Sequence, residues 1–215
     1  MQFRKEAVDK NPPAEPAGFR RNCTVLLAVA RDEAKRGAGD PAIGTPPSKQ
    51  WRPFMTNPYG QALGTRDALA ALEDTPERIR RLVDGMREED FTRSYGAGKW
   101  TVGQLLDHLA EAEIIFGVRM RMALTTPGYV VQPFDQDKMM AREARHTGRD
   151  AFDVYYALRR WNLPLYRSLS PEERNLRFTH PERGEMKVED MLSLLAGHEL
   201  HHLAQIEQAT TDSRR

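Results

Sequence analysis

Apolar residues recur at helical spacing from about residue 65 to the C-terminal end, and the chain before that point has no such period. "TPERIRRLVDGM" carries Ile79, Leu82, Val83 and Met86 on one face, with Thr75 read as N-cap and Pro76 as the first helical residue. "TRDALAALED" extends this first helix upstream. "KWTVGQLLDHLAEAEIIFGVRMRMAL" opens on a Thr101-x-x-Gln104 capping box and lays Val102, Leu105, Leu106, Leu109, Ala112 and Phe116 along one stripe, giving a second helix. Residues 150 to 169 predict a third, with Phe152, Tyr155, Leu158, Trp161 and Leu165 as its packers and Pro164 as a kink or break. "SPEER" starts with another cap, "FTHPERGEMK" reads as a turn, and residues 188 to 209 form the last helix. Four helices, little strand signal and one long connection, "TTPGYVVQPFDQDKMM", predict an all-α four-helix bundle whose crossover joins helices two and three.

The first ~55 residues are of another kind. "KNPPAEPAG", "RGAGDPAIGTPPSK" and "WRPFMTNPYG" are rich in Pro, Gly and charge, a composition too poor in apolar surface to offset the entropy of ordering. Residues 1–60 are therefore read as a disordered tail, with one short helix at residues 23 to 36, and residues 61–210 as the bundle domain. Met55 stands just before the organised part, which raises the alternative that translation begins there. In "FRRNCTVLLAVA" the apolar stretch is of minimal length and lies far from Met1, so a secretory signal is not expected and the cytoplasm is the default location.

Charge and cysteine narrow the chemistry. With 32 Lys+Arg against 31 Asp+Glu, no strong field marks out nucleic acid or an anionic membrane as partner. No apolar run approaches the ~20 residues that span a bilayer. Cys23 is the single cysteine, so any metal would have to be held by nitrogen and oxygen.

The histidines supply the nitrogen. His198-Glu199-Leu200-His201-His202 reads as H-E-x-x-H, the zinc signature of many metalloproteases. On a helix His198 and His202 stand about 40° and about 6 Å apart, a grip for one ion. The apolar centre of that helix lies at roughly 65° from His198, so both rings point inward; Glu199, at about 100°, is also inward, and His201, at about 300°, falls toward the rim. The apolar centre of the second helix lies about 85° from His108, placing it at the stripe's edge and available as a third imidazole. Only "LAQIEQATTDSRR" follows His202, with no further ligand, which argues against a protease. His146 and His180 sit in loop-like segments and are read as solvated, and Asp135 and Asp137 as loop acids in preference to borders of the site.

"TPERIRRLVDGM", "GKWTVGQLLDHLAEAE", "PFDQD" and "LLAGHELHHLAQIEQ" together resemble the DinB-like family of the DinB/YfiT superfamily of metal-binding four-helix bundles. The resemblance implies a divalent ion such as nickel or zinc on His108, His198 and His202, the same three residues the helical geometry selects. It also implies a homodimer acting on a small molecule. Its expected activity is that of a metal-dependent S-transferase using a low-molecular-weight thiol such as bacillithiol or mycothiol, with a metal-dependent hydrolase or a non-catalytic bundle as alternatives. Glu199 is the expected base, or the acceptor of an imidazole N–H.

Overall fold

The computed structural model describes residues 57–142 and 146–211. Residues 1–56 of the expected tail, with the helix at 23 to 36 and Cys23, lie outside these residues. Four long helices form a ring: α2 (Ala68–Asp84), α3 (Val102–Thr125), α5 (Gly148–Ser168) and α7 (Val188–Thr211). α3 packs on α5 and α7, and α2 packs on the same two from the opposite side. Short elements fill the connections: α1 (Gly60–Leu63) against α7, a 3-10 turn (Glu88–Thr92), α4 (Gln136–Arg142) in the crossover, α6 (Pro171–Arg174), and the strands β1 (Arg177–His180) and β2 (Gly184–Lys187).

Local chemistry fixes the helix starts. Thr101 and Gln104 close their capping box on α3, Thr147 caps α5, and Ser170 with Glu173 forms a second box on α6. Helix α2 departs from the expected start. Asp67 is its N-cap, accepting the Ala70 N–H at 2.8 Å, so Thr75 and Pro76 stand inside the helix. Two buried groups make this tolerable. The Thr75 hydroxyl donates back to the Ala71 carbonyl at 2.7 Å, and the Leu72 carbonyl, left without its partner because proline has no N–H, accepts from Arg159 at 2.8 Å. Helix α5 runs through Pro164 for a different reason: Pro164 and Arg160 are exposed, so solvent serves the carbonyl that the proline leaves free.

The core is continuous between the four helices and includes Leu72, Ile79, Leu105, Leu109, Tyr155, Leu192, Leu195 and Leu203. On α5 the buried stripe is Phe152, Tyr155, Arg159, Asn162 and Tyr166; Leu158 and Leu165 are half-buried and Trp161 is 72% exposed. The stripe expected from apolar residues was rotated because two polar residues, Arg159 and Asn162, hold inward positions. The segment read as a turn is an antiparallel hairpin, with Phe178 opposite Met186. The crossover joins it through a parallel bridge of Val130 with Thr179, which brings residues 132 to 134 beside the hairpin turn. Described residues before 61 also pack on the bundle: the Asn57 side-chain amide donates to the Ser193 carbonyl at 3.0 Å.

Candidate metal centre

Two helices bring His108, His198 and His202 together. All three are buried, and one ring nitrogen from each lies within 4.8 Å of the other two. His108 Nε2 stands 2.8 Å from His198 Nε2, which stands 3.1 Å from His202 Nε2. Two imidazole nitrogens at about 2.05 Å from a shared ion would be about 2.9 Å apart at a right angle and about 3.3 Å apart at a tetrahedral one, so the rings need little adjustment to share a cation.

Electrostatics keep the nitrogens ready. Burial, and then the neighbouring His202 ring, hold His108 down to about 3; burial holds His202 down to about 4; burial and the adjoining rings drive His198 well below the ordinary imidazole value. The rings are therefore neutral at physiological pH, the form that ligates. Gln205, one turn beyond His202, donates to the His201 ring at 3.0 Å and accepts from His202 Nδ1 at 2.7 Å. That bond places the His202 proton on Nδ1 and turns the Nε2 lone pair into the cluster. Glu111 stands 3.9 Å from Nδ1 of His108, beyond hydrogen-bond distance. Where Nε2 lone pairs of neutral imidazoles converge they repel one another, and a cation between them would relieve that repulsion.

Two aromatic rings flank the cluster. Trp100 lies tilted at 5.1 Å from the His108 ring, and Tyr59 meets His198 edge-on at 5.1 Å. Gly197 makes the second contact possible, since a Cβ there would lie 2.6 Å from the Tyr59 carbonyl oxygen. Beside the cluster lies a cavity of about 180 Å³ whose wall includes His108, His198, Phe116, Leu194 and Arg119.

The other expected residues divide. His201 is exposed, as its helical angle requires, and His146 is an exposed partner of Asp107 at 2.9 Å. His180 is not a solvated surface residue: the hairpin carries it, half-buried, into the cavity wall. Asp135 is exposed and caps α4 through the Lys138 N–H, while its neighbours Phe134 and Gln136 line the cavity; the Asp137 side chain lies outside the described residues. Glu199 does not serve the imidazoles. Both its oxygens are taken by Arg159, with Arg159 Nη1 at 3.0 Å from Oε2, and the same guanidinium reaches Glu113 at 2.5 Å. One helical step of about 100° separates Glu199 from His198, enough to turn it into the bundle's centre and away from the three clustered imidazoles. Arg159, Glu113, Tyr59 and Glu111 were missed from sequence; the signal for Arg159 was an inward position without an apolar residue, and Tyr59 was hidden in a Pro-rich stretch.

A ring of four helices enclosing three converging imidazoles defines a helical bundle with a candidate metal site. A family model for the DinB superfamily matches residues 71–206, a span holding all three histidines, and the chain belongs to that superfamily. Among curated relatives, "Putative metal-dependent hydrolase OB0782" of Oceanobacillus iheyensis is 29% identical over 136 residues, covering 63% of this chain and 79% of that protein. A protein of the same description from Bacillus mycoides is 28% identical over 137 residues, with 63% and 79% covered. Among solved structures, YfiT from Bacillus subtilis, described as a probable metal-dependent hydrolase with an unusual four-helix bundle topology, superposes with TM-score 0.63 at 20% identity, covering 83% of this chain and 95% of YfiT. A mycothiol-dependent maleylpyruvate isomerase matches with TM-score 0.55 at 15% identity, over 65% of this chain and 59% of the isomerase. At these identities the structural matches show the shared fold.

Proposed function

We propose that this protein is a metal-dependent enzyme in which His108, His198 and His202 hold one divalent cation, nickel or zinc in type, and a low-molecular-weight thiol such as bacillithiol or mycothiol serves as the nucleophile. The observation that carries the reading is the convergence of three buried, neutral imidazoles beside a cavity, with Gln205 orienting one of them. Three protein ligands leave coordination positions open, as catalytic sites require. When bound, the cation would lower the pKa of a thiol or water beside it and so supply a nucleophile near neutral pH. The chain's own part is to keep the imidazoles deprotonated by burial, to orient the His202 ring through Gln205, and to wall the cavity with Phe116 and Leu194 so that water is limited. The dependence of one structural neighbour on mycothiol supports the thiol reading. The names of the curated relatives support a second one, hydrolysis by a bound water.

One experiment separates the two. Metal-loaded protein is assayed with 1-chloro-2,4-dinitrobenzene and a panel of thiols including bacillithiol and mycothiol, and separately with p-nitrophenyl acetate without thiol. Thiol-dependent conjugation above the uncatalysed rate, lost on chelation, is expected. Metal-dependent ester cleavage without thiol would replace the S-transferase with the hydrolase.

A homodimer belongs to the same reading. Ile114, Val118 and Met122 form an exposed i, i+4, i+8 stripe on α3, and Val154 and Trp161 are exposed on α5, which packs on α3. Sedimentation of the wild type against Trp161→Glu checks it: a dimer that dissociates is expected, and a wild-type monomer would discard it.

A further inference from the structure

The cavity beside the imidazoles has a second pole. On α3 the residues His108, Ala112, Phe116 and Arg119 line it, and a spacing of 11 residues returns Arg119 to within about 20° of the His108 direction, about 16 Å along the axis. Arg119 is nine-tenths buried, and its guanidinium donates to the Gln132 carbonyl at 2.6 Å and rests over the Phe134 ring at 5.2 Å. A guanidinium carries five N–H donors, so further donors remain for a ligand. The hairpin turn brings Arg183, half-buried, to the same wall, together with His180 and the exposed Glu182. Among the described residues neither arginine makes an ion pair with a carboxylate. Between the two poles the lining is apolar, with Ala112, Phe116, Leu194 and Phe134.

We propose that this cavity binds a small organic carboxylate, its carboxylate on Arg119 and Arg183 and its apolar body directed along α3 toward His108 and His198. This deepens the proposed function, on which its reading as a substrate rests. A buried guanidinium without a counter-charge is costly, and a bidentate carboxylate is the partner that its planar donors fit. The groups around it report a positive field: after burial, the Arg119 and Arg183 charges lower His180, and Arg183 also lowers Arg119. Glu182 partly offsets that field, leaving one net positive charge on the wall from Arg119, Arg183 and Glu182.

The test is calorimetric titration of the full chain at low salt with hexanoate, hexanamide and hexylamine, each on metal-loaded and chelator-treated protein whose metal content is measured. Hexanoate is expected to bind at least ten-fold more tightly than the other two, with metal or without it. That preference is expected to shrink at least five-fold in Arg183→Gln and to vanish in Arg119→Met. Arg183 sits on the hairpin turn, so its variant carries the test if Arg119→Met fails to fold. Equal affinity for hexanoate and hexanamide, or no measurable binding, overturns the proposal. So does a preference that disappears with the metal yet survives in both arginine variants, because the carboxylate would then be sitting on the cation. A protein that binds no metal but keeps the arginine-dependent preference would overturn the enzyme reading and leave the anion site standing.

Discussion

Around Arg159 positive charge meets negative charge inside the fold; around His108 three imidazole nitrogens converge on one another with no opposite charge between them. Arg159, 1% exposed, is held between Glu113 and Glu199, with Nη1 also on the Leu72 carbonyl that Pro76 frees and Asn162 donating to Glu113 at 3.0 Å. Opposite charges meet in this cluster, although Arg159 Nε makes no hydrogen bond among the described residues, and burial raises Glu199 even with Arg159 beside it, which tempers the excess of negative charge. The histidine cluster is comparably buried but is made of neutral groups whose acceptors face one another and whose wall opens on a cavity. The two clusters meet on consecutive residues of α7, His198 and Glu199. The contrast teaches that burial of polar groups does not by itself mark a functional site; what marks it is unmet bonding capacity directed at a space.

The comparison breaks most visibly if the Arg159 cluster is opened. Arg159→Met strands two buried carboxylates and should cost about 3 to 5 kcal/mol in urea denaturation, since removing one partner of a buried ion pair leaves uncompensated charge. A loss below about 1 kcal/mol would mean that the network is not what locks α5 to α3 and α7. Leu109→Ala and Leu195→Ala, one helical position from His108 and three from His198, should each cost about 2 to 5 kcal/mol as core truncations, measured in the same way. Both leucines are almost wholly inaccessible, so near-zero costs would contradict the packing that presents the three histidines. Gln205→Ala sharpens the other side. It should weaken metal affinity about 10- to 100-fold while leaving unfolding of the metal-free protein nearly unchanged. Loss of stability without loss of affinity would make Gln205 a packing residue and not an orienting one.

The four long helices were legible because amphipathic periods and capping boxes such as Thr101 with Gln104 are local signals. Helix directions were legible too, which is why His108, His198 and His202 could be picked out before any contact was known. The start of α2 was not, because Pro76 looks like a first-turn residue until a tertiary partner, Arg159, is found for the carbonyl it frees. Glu199 shows the same limit: its inward angle was readable, but whether it met imidazole or guanidinium depended on which residue α5 brings opposite. The cavity wall built by His180 and Arg183 depends on a two-stranded hairpin and its bridge to Val130, pairings that short polar strands do not announce.

The most direct test of the central claim is elemental analysis of the purified, untagged protein beside His108→Ala and His201→Ala. The account predicts close to one divalent ion per chain in the wild type and in His201→Ala, and none in His108→Ala. Absence of metal from the wild type after supplementation with nickel, zinc and manganese, or equal loss in both variants, would contradict it.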